Sequence, residues 1–321
     1  MSDGAPDAVR RLVEERSAAR AARDFERADA LRDSIHALGW EVQDAPGGPT
    51  LRPILPSDDA DAGFISAESL ASRLDEEPTV RLSVLLVADD HPGDLARAVG
   101  GLAAHPPAVS WELLVVANAP SDPVEPALGA LQGVAAVTIL ATSERLGYAD
   151  AVNLGLRRAM GEVLLLLDTS LEPTGDWAAP LLAAFSDPGV GVAGGWGVRS
   201  GNGRQFDDAP PGEVDAVEGY CLAVRRQVLR EAGLFDRRFR WYRNADLDFS
   251  FQARAAGWRA VRTAALPFDR HEHRGYAAFE EPELTRQSKR NFYRFLKRWG
   301  DRRDLLLEPE AEHHHHDHDH A

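Results

Sequence analysis

The chain has 321 residues, 44 % of them apolar and 27 % charged, with a formal net charge of −15, enough for one large or two modest domains with a sizeable core. That charge argues against a general nucleic-acid binder, because neutralising phosphates takes clustered Lys and Arg. The single cysteine, Cys221, excludes an internal disulfide framework. No run of about 18 apolar residues occurs, and the first residues carry acids rather than a signal-peptide core, so the expected location is cytoplasmic.

Residues 7–38 carry a helical pattern interrupted near Arg23-Asp24. Phe25, Ala28, Leu31, Ile35 and Leu38 share one stripe, and Gly39 stands where a helix would stop. Two short helices folding back as a hairpin are predicted. Trp40 to Asp44 then alternates like a strand, and Pro46-Gly47-Gly48-Pro49 reads as a turn. The segment from Val13-Glu14-Glu15-Arg16 through Ala28-Asp29-Ala30-Leu31-Arg32-Asp33 to Gly39-Trp40-Glu41-Val42-Gln43-Asp44 resembles the C-terminal helical end of bacterial cysteinyl-tRNA synthetases. Its Arg, Asp and Glu are closely mixed, which favours a packing or interaction module over RNA binding.

Residues 1–52 thus form a hairpin with a short β segment. Residues 53–78, rich in Pro, Asp, Ala and Ser, read as a linker holding a short helix from Ala67 to Leu74. From 79 to 305 strands alternate with helices. Strands are predicted over Ser83 to Ala88, Trp111 to Ala117, Ala136 to Ala141, Val163 to Asp168, Val190 to Val198 and Val217 to Val224. Helices are predicted near Asp94 to Ala103, Ala149 to Met160, Arg226 to Ala232 and Leu247 to Ala256. This alternation predicts an α/β fold, a mostly parallel sheet between helices. Asn202 to Glu213 reads as a mobile surface loop. Pro282 to Trp299 reads as a basic amphipathic helix whose Leu284, Phe292, Phe295, Leu296 and Trp299 form a stripe. Packing onto the domain is the commoner use of such a stripe, and peripheral membrane contact through 284–299 is the other. The tail 306–321, with His313 to His316 and His318 to His320 among acids, is expected to be disordered.

The apolar run Val163-Leu164-Leu165-Leu166-Leu167 reads as a strand buried on both faces, stopping at Asp168-Thr169-Ser170. That puts an acid at a strand's carboxyl end, where open α/β sheets bind ligands. Cys221, within Gly219-Tyr220-Cys221-Leu222-Ala223-Val224, reads as strand filler.

Seven segments carry a wider resemblance: Ser83-Val84-Leu85-Leu86-Val87, Glu112 to Asn118, Arg145-Leu146-Gly147-Tyr148-Ala149-Asp150-Ala151-Val152-Asn153, Leu167-Asp168-Thr169-Ser170, Gly233-Leu234-Phe235-Asp236, Ala245-Asp246-Leu247-Asp248 and Arg254-Ala255-Ala256-Gly257-Trp258. In this order, over about residues 80–300, the chain resembles glycosyltransferase family 2, enzymes of the GT-A nucleotide-sugar-binding fold. The resemblance implies transfer of a sugar from a nucleotide-sugar donor to a glycan or lipid-linked hydroxyl, usually with inversion. It also implies a divalent cation, Mg or Mn, at the departing diphosphate. Donor contacts would come from Asp89, Asp90, Asn118, Arg145, Gly147, Asp168 and Ser170. Metal ligands would be Asp168, His271 and His273. Asp246 matches the family's general base, Asp248 supports the site or its helix, and Arg270 and Arg274 flank it.

Three positions depart from the family pattern: Ala117 and Ser170 stand where acids are usual, and Ala245 replaces the acid before Asp246. They leave open a noncatalytic binding protein of the same fold. Local readings also stay open. Asp89 and Asp90 can contact base or ribose, or cap the helix ahead of Leu95, and Asp246 can itself be a plain cap. Arg270 or Arg274 can grip phosphate without metal. Tyr148, Trp196, Trp241 and Tyr242 can stack on sugar or fill the core.

Overall fold

Residues 7–22, 24–37, 40–45, 48–53, 64, 66–274 and 280–310 are described by the computed structural model, and they fall into two units, Met1–Asp59 and Ala60–Ala321. In the first, helices α1 (Asp7–Ala21) and α2 (Phe25–Ala37) precede an antiparallel pair, β1 (Trp40–Ala45) and β2 (Gly48–Pro53). Val9, Val13, Ile35 and Val42 bury together as a small core, so one apolar face per element suffices to close the unit. The second strand was not foreseen. Gly39 and the Pro46-Gly47 turn lie outside the described residues, as does the His-rich tail from 311 onward.

The second unit begins with β3 (Val80–Ala88), α3 (Pro92–Ala104), β4 (Trp111–Ala117), α4 (Glu125–Leu128), β5 (Ala136–Ala141), α5 (Tyr148–Arg158), β6 (Gly161–Leu167), β7 (Leu171–Pro173) and α6 (Ala178–Ala183). It continues with β8 (Val190–Gly194), β9 (Gly197–Arg199), β10 (Asp207–Asp208), β11 (Gly212–Val214), β12 (Ala216–Val217), β13 (Cys221–Arg225) and α7 (Arg226–Glu231). Last come α8 (Ala245–Ala255), β14 (Arg259–Arg262), β15 (Phe268–Arg270) and α9 (Glu281–Trp299). Eight strands form one sheet in the order β11-β14-β8-β13-β6-β3-β4-β5. Pairs β6/β3, β3/β4, β4/β5 and β8/β14 are parallel, while β13 runs antiparallel between β6 and β8. Each parallel strand is apolar on both faces because helices cover both: every residue of Val163–Leu167 is buried. Gly155 lets α5 lie on β3, since a Cβ there would sit 2.2 Å from a methyl of Leu85.

Five expectations need correction. The supposed linker is part of the domain from Phe64 onward. Phe64 donates its backbone N–H to Ala141, Phe64, Leu70 and Leu74 enter the main core, and Arg157 and Arg226 donate to the carbonyls of Leu70 and Leu74. The composition reading missed this because extended chain can be held by arginines reaching from distant helices. The expected helix shrinks to a turn over Ala67–Ser69. Val190 to Val198 and Val217 to Val224 are each two strands, broken at Gly195-Trp196 and at Glu218-Gly219-Tyr220, so the chain steps from the large sheet into a small β10-β9-β12 sheet. Asn202 to Glu213 is no plain loop: it supplies β10 and part of β11, the latter paired with β14. Finally, the domain does not end at 305, and the apolar stripe of α9 packs onto it as expected. Phe292, Phe295, Leu296 and Trp299 pack with Phe251, Leu305 and Leu306, so the ordered chain continues past 305, and Glu310 donates to the Gly201 carbonyl at 2.8 Å. No described helix is long and apolar enough to cross a membrane.

Candidate functional site

Asp168 follows the last residue of β6, and its backbone N–H donates to the Tyr220 carbonyl at 2.9 Å. It lines a cleft of about 480 Å³ together with Tyr148, Glu218, Tyr220, Tyr242, Asp246, Lys289 and His273. Strand end, helix α5 and helix α8 therefore converge on one opening, as carboxyl ends of parallel strands are apt to do.

At the β6 end, Asp168 Oδ1 accepts the Ser170 N–H at 2.8 Å and Oδ2 lies 3.2 Å from His273 Nε2. Burial works against the charge on Asp168, but the hydrogen bonds from His273 and Ser170 outweigh it and hold the carboxyl below its ordinary value. Ser170 is buried. The two histidines do not point the same way. Strand β15 ends at Arg270, and His271 Nε2 meets Glu172 at 2.8 Å instead. Among the described residues no three His, Cys, Asp or Glu side chains stand close enough to hold a metal ion. Asp168 and His273 remain as two donors, a set that suits a cation keeping water and borrowing diphosphate oxygens, whereas His271 does not join it.

At the α8 end, Asn244 takes the left-handed conformation, φ 65°, just before the helix, a turn that Asn tolerates better than most residues. It offers no side-chain cap. Asp246, half-buried in the cleft wall, accepts the N–H of Gly219 at 2.8 Å through Oδ2 and the N–H of Leu247 at 2.9 Å through Oδ1. Burial raises its pKa against those hydrogen bonds. Asp248 faces inward instead. Buried, it accepts from Trp299 Nε1 and Arg298, both at 2.8 Å, and so ties α9 to α8.

Glu218 was missed at the sequence level. It stands in the break between β12 and β13, beside the Gly219 that holds Asp246. Burial pushes its carboxyl up to about 7, helped by the charges of Asp246 and Asp208 and opposed by Arg270 and Arg262. An acid followed by Gly inside an apolar run was the available signal. Arg270 lies over the rings of Trp196 and Tyr220, 5.1 and 4.6 Å from their centroids. Arg274, in contrast, is bound to Asp94 on α3 at 2.7 Å and to Glu272, which leaves it as a structural clamp.

The other donor-side residues form a second group. Asn118 Oδ1 accepts the Leu146 N–H at 2.8 Å, and its amide approaches Asp89 at 3.4 Å. Asp90 accepts from Ser121 and pairs with Arg145. Neither aspartate caps α3, whose first flanking residue is His91. Ala119, at φ 45°, turns the chain sharply after Asn118. Gly147 precedes α5, and a Cβ there would come within 3.0 Å of the Arg240 backbone. Asn153 both donates to and accepts from the Phe235 backbone, at 2.8 and 3.0 Å, which ties two of the motif segments together. Tyr148 and Tyr242 line the cleft, whereas Trp241 is buried. Cys221 is buried, its thiol pushed up to about 12 by burial, as befits filler.

The model for Glycosyl transferase family 2 matches residues 83–254, more than half of the chain. The chain belongs to glycosyl transferase family 2. Among solved structures, GalNAc-T7 with UDP, GalNAc and Mn²⁺ superposes with a TM-score of 0.58 at 17 % identity, covering 70 % of this chain and 50 % of that one. S. aureus TarS 1-349 with UDP-GlcNAc gives 0.50 at 16 % identity, covering 67 % and 66 %. At such identity the likeness establishes the GT-A fold. The N-terminal unit is similar to a different protein: it is 47 % identical over 47 residues to the cysteine–tRNA ligase of Chlamydia caviae and 62 % identical over 37 residues to that of Nitratidesulfovibrio vulgaris. These matches span 10 % and 8 % of the ligases' own length and 15 % and 12 % of this family 2 chain.

Proposed function

We propose that this family 2 chain is a glycosyltransferase that moves a sugar from a nucleoside-diphosphate donor to a hydroxyl acceptor with inversion at the anomeric carbon. The observation that carries the reading is the pairing of Asp168 with Asp246 across one cleft. The first marks the departing diphosphate and the second the attacking hydroxyl. Asp246 takes the acceptor O–H proton while the acceptor oxygen bonds to the anomeric carbon and the carbon–phosphate oxygen bond breaks on the opposite side. The backbone N–H groups of Gly219 and Leu247 fix the Asp246 carboxylate, and burial sharpens its basicity. Asp168 and His273 would hold a divalent cation, Mg or Mn, which when bound neutralises charge growing on the diphosphate. Asp89, Asn118 and Arg145 would receive the nucleoside. The ordered cleft favours turnover over a merely binding role, since Ala117, Ser170 and Ala245 leave Asp168 and Asp246 in place. GalNAc-T7 and TarS, crystallised with UDP and UDP-GlcNAc, support a nucleotide-sugar donor.

Incubation with a panel of nucleotide sugars in Mn²⁺ or Mg²⁺ tests this. Slow release of nucleoside diphosphate from at least one donor is the expected result. Tight nucleoside-diphosphate binding without release from any donor, with or without simple sugar acceptors, would replace the enzyme by a binding protein.

A further inference from the structure

A second cleft of about 460 Å³ in the same unit is lined by Arg145, Arg237, Arg238, Arg240, Arg290 and Arg294, with Glu144 and Asp150 among its acids. Helix α9 serves both openings, lending Lys289 and Phe292 to the first and Arg290 and Arg294 to the second. Three of the six arginines are neutralised: Arg145 by Asp90, Arg237 by Glu68 and Asp150, and Arg238 by Asp236. Among the described residues no carboxylate stands within ion-pair distance of Arg240, Arg290 or Arg294.

Arg294 is fixed in direction. Its Nη1 donates to the Arg238 carbonyl at 2.6 Å and to Asn291 at 3.1 Å, and its guanidinium lies 5.4 Å over the Phe239 ring. Burial lowers its pKa, with the charges of Arg290 and Arg238 adding to the effect and those of Asp236 and Asp248 opposing it. Arg240 is pinned through its backbone, whose carbonyl accepts the Tyr148 N–H at 2.9 Å. With three of its six arginines outside ion-pair distance of any described carboxylate, the cleft concentrates positive charge on a chain of net charge −15. Planar guanidinium forks from α9 and from the loop before α8 match the oxygens of a phosphoryl group.

We propose that Arg240, Arg290 and Arg294 form a binding site for a phosphoryl or diphosphoryl group, carried either by the donor nucleotide or by the acceptor. Naming donor and acceptor as sources rests on the transferase reading, but the anion site does not.

Calorimetric titration of the full chain with inorganic pyrophosphate in EDTA tests it, because chelation leaves Asp168 no cation through which to attract the anion. Wild type should bind, and the doubly substituted Arg240→Ala, Arg290→Ala chain should bind roughly tenfold or more weakly with an unchanged melting temperature. Equal binding by the two chains, or no binding by wild type at about ten millimolar, overturns the proposal. A second titration with UDP separates the sources. Parallel loss of UDP affinity assigns the site to the donor. Unchanged UDP affinity, with pyrophosphate still binding in saturating UDP, assigns it to a phosphate-bearing acceptor. Absence of sugar transfer would leave these titrations untouched, so the two readings fail separately.

Discussion

At the β6 end of the first cleft Asp168 faces an imidazole, whereas at the α8 end Asp246 stands within charge reach of a second acid, Glu218. Both aspartates are half-buried in the cleft wall, yet their carboxyls shift in opposite directions. Asp168 is held low by hydrogen bonds from His273 and Ser170, while Asp246 is raised because burial outweighs its two backbone donors. A carboxylate held by hydrogen-bond donors stays ionised and serves as a ligand. One crowded by burial becomes a better proton acceptor. The company of each carboxylate, rather than its residue type, divides the labour.

The largest effect should come from removing the proton acceptor. Asp246→Asn is expected to lower turnover by about 10²- to 10⁴-fold while nucleoside-diphosphate affinity stays within a factor of about two, read by donor turnover and calorimetry. Equal losses in turnover and affinity would break the comparison by making Asp246 a donor-binding group.

Asp248, two residues further along the same helix, supplies the contrast. Asp248→Ala strands Trp299 and Arg298 and should cost on the order of 2–4 kcal/mol of stability, seen as a lower melting temperature. If Asp246→Asn destabilised the chain as much, its effect on turnover would be structural.

Asp168→Asn should change sign with conditions. In Mn²⁺ it is expected to weaken UDP binding about tenfold, ~1.4 kcal/mol. In EDTA it should leave binding equal or tighter, because a bare carboxylate repels diphosphate. Weakening in both buffers would remove the cation from the β6 corner.

The smallest effect belongs to Glu218→Gln. The folded carboxyl keeps its proton to about 7, against an ordinary 4.5. Wild type therefore loses stability as pH rises from the unfolded value through the folded one. The glutamine variant should gain on the order of 1 kcal/mol over wild type above pH 7, after allowance for solvent screening, and nothing below pH 4.5. Its turnover at low pH should match wild type, because Glu218 is already neutral there. Denaturant titrations across pH check the first point, and a melting curve offset equally at every pH would refute it.

The sheet was largely legible. Strands buried on both faces leave unbroken runs of Val and Leu, as in Val163–Leu167, and glycines such as Gly155 mark close contacts. The longer helices α3, α5, α8 and α9 fell within a few residues of their predicted places, and Asp168 and Asp246 were readable because they sit at element ends. What the sequence alone determined was therefore local: period, element order, the acid at the end of β6 and the acid at the start of α8.

Tertiary structure decided the rest, because it depends on which distant residues meet. His271 and His273 differ by one residue between them, yet β15 ends before them and sends each to a different carboxylate. Arg274 resembled a phosphate grip until Asp94 claimed it. Residues 64–78 resembled a linker until Arg157 and Arg226 fastened them to the core. Glu218 and the three arginines with no carboxylate partner among the described residues gained their meaning only from neighbours brought in across the chain. Charge acts through space and is strongest where water is excluded, so the electrostatic character of each cleft was set by the fold.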